Sequence, residues 1–316
     1  MANLSFNGTS GLWVNLDKPG GRVYFVGPST TTGGGVIAAK GRTGDGLAAS
    51  DTGNDGLTPE RPFSTIDGTA GAFAKAKSGR GDTICILPGT VTITAAIACD
   101  LDDITLTGIV ASGSPIKPSS ITSSLASSAD AINITGANVT IEELHFPKST
   151  ATTTSRIDCG AVGATIQNCT FECGAYDLQT ITIPAAGLHT TIRGNRFYIT
   201  ANGPDAAIEI ENAAAHFITV EGNDFNGQNA TNKWDISAVN SDVIHLSCIV
   251  RDNVSSYGVF ADFDAAATGV IANNFVGNLG GTLGALIDPG SCTCFNNYEA
   301  DTVDESARLF PSTVAS

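Results

Sequence analysis

Val220-Glu-Gly-Asn223-Asp-Phe225 is one copy of a cassette that recurs from Ile141 onward: usually an apolar residue, two variable residues, most often Asn, one variable residue, then most often an aromatic. The other copies are Ile141-Glu-Glu-Leu144-His-Phe146, Ile166-Gln-Asn-Cys169-Thr-Phe171, Ile192-Arg-Gly-Asn195-Arg-Phe197, Val250-Arg-Asp-Asn253-Val-Ser255, Val270-Ile-Ala-Asn273-Asn-Phe275 and Thr293-Cys-Phe-Asn296-Asn-Tyr298. The fourth residue falls at 144, 169, 195, 223, 253, 273 and 296, at intervals of 25, 26, 28, 30, 20 and 23 residues. That is a solenoid period.

A second ladder precedes the first: Ile132-Asn-Ile134, Ile157-Asp-Cys159, Ile181-Thr-Ile183, Ile208-Glu-Ile210, Trp234-Asp-Ile236, Val259 to Phe263 and Ala285-Leu-Ile287. Apolar and polar residues alternate in most of these, as in a strand with one buried face, and helical periodicity is absent. Two strands per turn, joined by Gly, Asn and Ser corners, describe a parallel β-helix. Stacked in register, the pattern buries Ile on Ile, Phe on Phe and Asn on Asn, with Asn amides pairing from rung to rung at the roughly 4.8 Å strand spacing. Ile181, Ile208, Ile210, Ile236, Phe197, Phe225 and Phe275 are expected to point inward.

At 316 residues the chain could hold two domains, but a solenoid grows by adding rungs, so one elongated all-β domain is expected. An apolar content of 42% argues against disorder. Acidic residues exceed basic ones by 31 − 16 = 15, which makes nucleic acid and anionic membranes poor partners. No stretch reaches the roughly 18 apolar residues of a membrane span, and residues 1 to 20 lack the basic start and apolar run of a signal peptide, so cytoplasmic synthesis is expected. The eight cysteines, at 85, 99, 159, 169, 173, 248, 292 and 294, then read as buried apolar fillers rather than bridges. Cys292-Thr-Cys294 and Cys169-x3-Cys173 have no partner pair at zinc-finger spacing.

Residues 1–50 do not repeat. With Gly33-Gly34-Gly35 and strand-like pieces at Leu12 to Leu16 and Arg22 to Val26, they are expected to form an extended docking arm. Residues 51–80 hold the turn cluster Asp51-Thr-Gly-Asn-Asp-Gly56 and an amphipathic stretch from Ser64 to Lys77. Ser64 and Asp67 suit the start of a helix that plugs the coil, with Ile66, Ala70, Phe73 and Ala74 on one face. The β-helix is expected over 81–298. Residues 299–316 read as a cap and tail, with a short helix over Asp301 to Leu309.

The entry segment resembles the opening of pectate-lyase-like right-handed β-helix proteins. The matching residues are Gly53, Asp55, Gly56, Pro59, Pro62, Phe63, then Gly81, Asp82, Thr83, Ile84, Pro88, Gly89 and Val91. The likeness is close over about residues 51 to 94 and loose to residue 298. It implies a right-handed parallel β-helix and leaves activity open, since the superfamily spans polysaccharide lyases, glycosidases and virion proteins of tailed phages.

Lyases of this fold need acidic calcium ligands and an Arg or Lys base. The second ladder supplies an acidic stripe, Asp158, Glu209 with Glu211, Asp235, Asp262 with Asp264, and Asp288. No base lies well inside it: Arg156 and Lys233 border it and Arg251 is on the other ladder. A glycosidase needs only two carboxylates about 5 to 9.5 Å apart, and Glu209 and Glu211, two apart on a strand, are spaced by roughly 6.6 Å. Asp262 and Asp264 repeat that spacing. A tandem carboxylate pair on an outward strand face is usually just a solvated face, and that reading is preferred for both pairs. His145, His189, His216 and His245 form no triad-like group. Asp51, Asn54 and Asp55 could hold calcium, although an Asx turn accounts for them. No cofactor is expected. The resemblance, cytoplasmic synthesis, acidic rod and Gly-rich arm together imply a homotrimeric capsid decoration or surface-spike subunit of a tailed-phage virion, with capsid or tail proteins as partners. The alternatives are a tailspike that binds or cleaves host glycan and a secreted polysaccharide enzyme.

Overall fold

The computed structural model describes residues 21–27, 50–51, 53–59, 61–109, 118–125, 129–148, 155–174, 179–199, 204–211, 217–227, 234–238, 248–255, 259–265, 267–278, 287–301 and 307–309. They form a right-handed parallel β-helix walled by sheets of ten, eight and ten strands. One rung illustrates the path. Thr191–Arg193 lies in the first sheet, Arg196–Ile199 in the third and Ala206–Ile210 in the second, and Thr219–Glu221 re-enters the first sheet one level on.

Stacking follows the alternation read from the sequence. The inward column of the first sheet runs Tyr24, Ile84, Leu106, Ile141, Ile166, Ile192, Val220, Val250, Ile271, Cys294. That of the second runs Ile97, Ile132, Ile157, Ile181, Ile208, Ile236, Ala261, Ile287. In the third, Phe146, Phe171, Phe197 and Phe225 stack nearly parallel with ring centroids 4.8, 5.0 and 4.8 Å apart. Burying each such ring contributes roughly 1.5–3 kcal/mol. All eight cysteines are free thiols, seven of them fully buried.

The corner between the first and third sheets is built from one left-handed residue followed by one buried residue. Glu143, Asn168, Gly194, Gly222, Asp252, Asn273 and Asn296 hold φ between 52° and 63°. Behind them Asn195, Asn223, Asn253, Asn274 and Asn297 form a buried ladder. Oδ1 of Asn195 accepts from the backbone N–H of Cys169 at 2.9 Å, and that of Asn223, Asn253, Asn274 and Asn297 from the backbone N–H of the Asn one rung earlier at 2.9–3.1 Å. Each side-chain amide in turn donates to a strand carbonyl, as from Asn223 to Ile192 and from Asn253 to Val220. The ladder therefore satisfies backbone groups that a tight corner would otherwise orphan inside the coil.

This corrects the register of the last two cassettes. Where two Asn stand in tandem, the first takes the left-handed position, which Asn tolerates, and the second enters the ladder. Asn273 and Asn296 are consequently exposed, Val276 fills the inward column, and Phe275 points outward rather than in.

Three further expectations change at the ends. Val23–Val26, inside the segment read as an arm, pairs in parallel with Thr83–Ile86 and begins the first sheet. Ser64 to Lys77 forms turns instead of a helix, because Gly68 with φ 116° and Gly71 packed against the Asp67 carbonyl break the helical path. Ile66, Ala72 and Phe73 are still buried at the coil entrance, so the plug exists without helical form, whereas Ala74 is exposed. Ala307–Leu309 is a strand antiparallel to Tyr298–Asp301, not the end of a helix. Leu12 to Leu16 and Gly33 to Gly35 lie outside the described residues.

Candidate functional site

The outward column of the second sheet reads Ala98, Asn133, Asp158, Thr182, Glu209, Ser237, Asp262, Asp288, one residue per rung. Inward Ile residues on either side force these side chains outward by the two-residue period of the strand. Adjacent positions are about 4.8 Å apart. Asp262 and Asp288 are thus neighbours, and Asp158 and Glu209 are two rungs apart across Thr182, whose hydroxyl donates to Asp158 at 3.4 Å.

The carboxylates fall into two groups. In the first, burial together with Asp130 and Glu211 lifts the Asp158 carboxyl to about 6. Burial, Glu211 and Asp205 raise Glu209 against the opposing hydrogen bond from Gln179, and burial with Asp130 raises Glu211. In the second group, burial, Asp288 and Asp264 raise Asp262. Both carboxylate pairs singled out in the sequence therefore sit close enough to sense each other. Oε2 of Glu209 and Oδ1 of Asn133 are enclosed and accept no hydrogen bond. An enclosed carboxylate oxygen without a donor favours its protonated form.

Asp235 is not part of the stripe. Its position is level with Ala207 and Phe260 in the second sheet, it is 1% exposed, and Ser255 Oγ donates to its Oδ2 at 2.6 Å. Burial pushes its carboxyl up to about 8. Ile236, not Trp234, is level with Ile208, so Trp234-Asp-Ile236 stands in register with Ala206-Ala-Ile208 and the outward position is taken by Ser237 instead of Asp235. Asp130, whose Oδ1 accepts from the backbone and hydroxyl of Ser155, went unrecognised as a member of the site. It precedes the strand at Ile132, where no alternation marks it.

No cation sits in the outward column itself. Arg156 is 3% exposed and its guanidinium donates to the carbonyls of Pro147 and Glu172. Arg251 pairs with Glu221 on the first sheet at 2.6 Å. His145 bridges Ser120 and Glu172, and His189 stacks on Phe217 at 4.7 Å. Lys233, His216 and His245 lie outside the described residues. Among the described residues no cluster of three or more His, Cys, Asp or Glu has metal-binding geometry. Asp51 accepts from the backbone of Ser64 and Thr65 and from the Thr65 hydroxyl, Asn54 donates to Pro62 O, and Asp55 accepts from Leu57 N–H. These three calcium candidates are thus engaged as turn formers.

No family model and no curated protein sequence matches the chain. Among solved structures it is similar to the pectate lyase Pel9A, at 13% identity and a TM-score of 0.48 over 90% of this chain and 78% of that one. A rhamnogalacturonan lyase matches at 12% identity and TM-score 0.43 over 82% and 69%, and ORF18 of Geobacillus virus E2 at 13% and 0.37 over 74% and 56%.

Proposed function

We propose that the chain is a structural rod of a tailed-phage virion, a capsid decoration or surface-spike subunit, docking through segments of residues 1–50 outside Val23–Val26. The observation that supports the non-enzymatic half of this reading is the outward acidic column itself, which gathers Asp158, Glu209, Asp262 and Asp288 over six rungs without a cation among its described residues. A lyase requires a base beside a metal-held uronate. Arg156, which borders the column in sequence, is instead engaged with the carbonyls of Pro147 and Glu172. Eight free thiols suit assembly in a reducing cytoplasm. Antibody labelling of purified particles from the organism carrying the gene tests the assignment: regular copies on the shell are expected, and particles devoid of the chain overturn it.

One observation favours a second reading, a glycan-cleaving tailspike. Glu209 and Glu211 both have raised carboxyls, and their two-residue spacing along the strand places them about 6.6 Å apart, within the inverting range. Incubation with bacterial surface polysaccharide separates the two. The structural reading expects no new reducing ends, and release abolished by Glu209→Gln establishes the tailspike.

A further inference from the structure

On the third sheet one outward column changes character along the rod. It runs His145, Thr170, Arg196, Asp224, then Val254, Phe275, Tyr298. The first four are polar, and Arg196 and Asp224 pair at 3.2 Å. The last three are apolar or aromatic and are 45%, 43% and 40% exposed on consecutive rungs. The first sheet makes the same change across the corner: Glu142, Gln167, Arg193, Glu221 and Arg251 give way to Ala272 and Phe295, the latter 39% exposed. Scattered exposed apolar residues need no explanation, but a ladder of them confined to the last three rungs does.

From this we infer that Val254, Phe275 and Tyr298, flanked by Phe295, form the contact between copies of this chain. Two features select a copy over another occupant. The first is charge. The chain carries a net −15 and its second sheet presents the acidic column, so copies repel one another across that face. The third sheet from Val254 to Ser255 and from Phe275 to Asn278 contains no ionisable residue, and on the next strand Glu299 stands level with Arg308, so rods can approach over these rungs with little unpaired charge to desolvate. The second is pitch. A ladder repeating at the strand spacing of about 4.8 Å matches an identical ladder laid alongside it, so that each ring can lie in the gap between two rings of the neighbour. The inference is independent of what the acidic column does.

Light scattering and sedimentation of the full chain read the outcome. The wild type is expected at an integral multiple of 32.2 kDa and Phe275→Asp/Tyr298→Asp at 32.2 kDa with an unchanged β-sheet dichroism spectrum. Tyr198→Asp, also exposed on the third sheet but on an earlier rung, is expected to keep the multiple. Should the double variant fail to fold, Val254→Cys provides the second measurement. The native thiols are buried or nearly so, and a thiol at 254 is expected to form intermolecular disulfides under mild oxidation while one at 198 does not. A monomeric wild type, an oligomer that survives the double substitution, or equal cross-linking at 254 and 198 overturns the inference.

Discussion

Two outward columns of the same coil handle charge in opposite ways. On the first sheet Glu142, Gln167, Arg193, Glu221 and Arg251 alternate in character. Gln167 donates to Glu142 at 2.5 Å, Arg193 to Gln167 at 2.8 Å and Arg251 to Glu221 at 2.6 Å. On the second sheet Asp158, Glu209, Asp262 and Asp288 share one sign, and the first three have raised carboxyls. In the second column Thr182 and Ser237 separate Asp158, Glu209 and Asp262, and burial is the larger cause of their raised carboxyls, to which nearby like charges add. The paired column is mainly a solution to stacking. The unpaired one retains proton-binding capacity at mildly acidic pH, and for that reason it is the candidate site.

The contrast presumes that charge is tolerable only outside, and the largest expected effect tests that premise. Phe225→Asp puts a carboxylate into the ring stack between Phe197 and Phe260. The lost packing and the buried unpaired charge together cost about 5 kcal/mol or more, enough to abolish soluble folding. A soluble variant with the wild-type melting temperature would contradict the register.

The corner that turns the chain from the first sheet to the third comes next. Asn253→Ala removes the acceptor for the N–H and side-chain amide of Asn223, and the donors to Val220 O and Asn274 Oδ1. A loss of roughly 3 kcal/mol is expected from these orphaned groups, measured by denaturant unfolding. At the exposed left-handed position one residue earlier, Asp252→Asn should change stability by only a few tenths of a kcal/mol.

Much of this was legible because the fold is periodic. One cassette gave the strand faces, the Phe stack through Phe225 and the Asn ladder through Asn253. It slipped at Asn273-Asn274 and Asn296-Asn297, since tandem Asn satisfies either register and only the left-handed corner decides. The acidic column was visible as the polar member of each Ile-x-Ile, except at Asp235, where Ser237 takes the outward position instead. The entry and exit elements were misread for a related reason. Val23–Val26 was legible as a strand but not as part of the coil, because its partner Thr83–Ile86 is distant in sequence; Ala307–Leu309 folds back on Tyr298–Asp301, and Ser64 to Lys77 has a helical apolar spacing that its glycines override.

pH titration sharpens the comparison directly. Asp158 rises from an ordinary 3.8 to about 6 and Asp235 from 3.8 to about 8. The folded state therefore holds more protons than the unfolded one, so the stability is full below about pH 4 and declines as pH climbs through 6 and then 8. Asp158→Asn should flatten the lower part of that decline by about 1 kcal/mol, a figure reduced for its solvent exposure. Asp235→Asn should flatten the decline over the whole span from about pH 4 to 8 by on the order of 2 kcal/mol, and alone accounts for its part above pH 6, because relaxation and water entry blunt the cost of charging a buried site. A melting temperature that rises between pH 4 and 8 contradicts the unpaired reading of the second sheet.

The smallest effect belongs to the paired column. The Arg251 and Glu221 side chains are 51% and 24% exposed, so water screens their attraction and holding two long side chains in place costs entropy. Arg251→Ala is expected to cost about 0.5 kcal/mol in low salt and less in high salt, read as a shift in the denaturant midpoint. The substitution also leaves Glu221 without its rung partner, which turns this part of the first column into a copy of the second. If pairing is what distinguishes the columns, that cost should shrink as salt screens the pair, and a cost independent of salt would mean that packing of the Arg251 stem, not its charge, is what the first column gains.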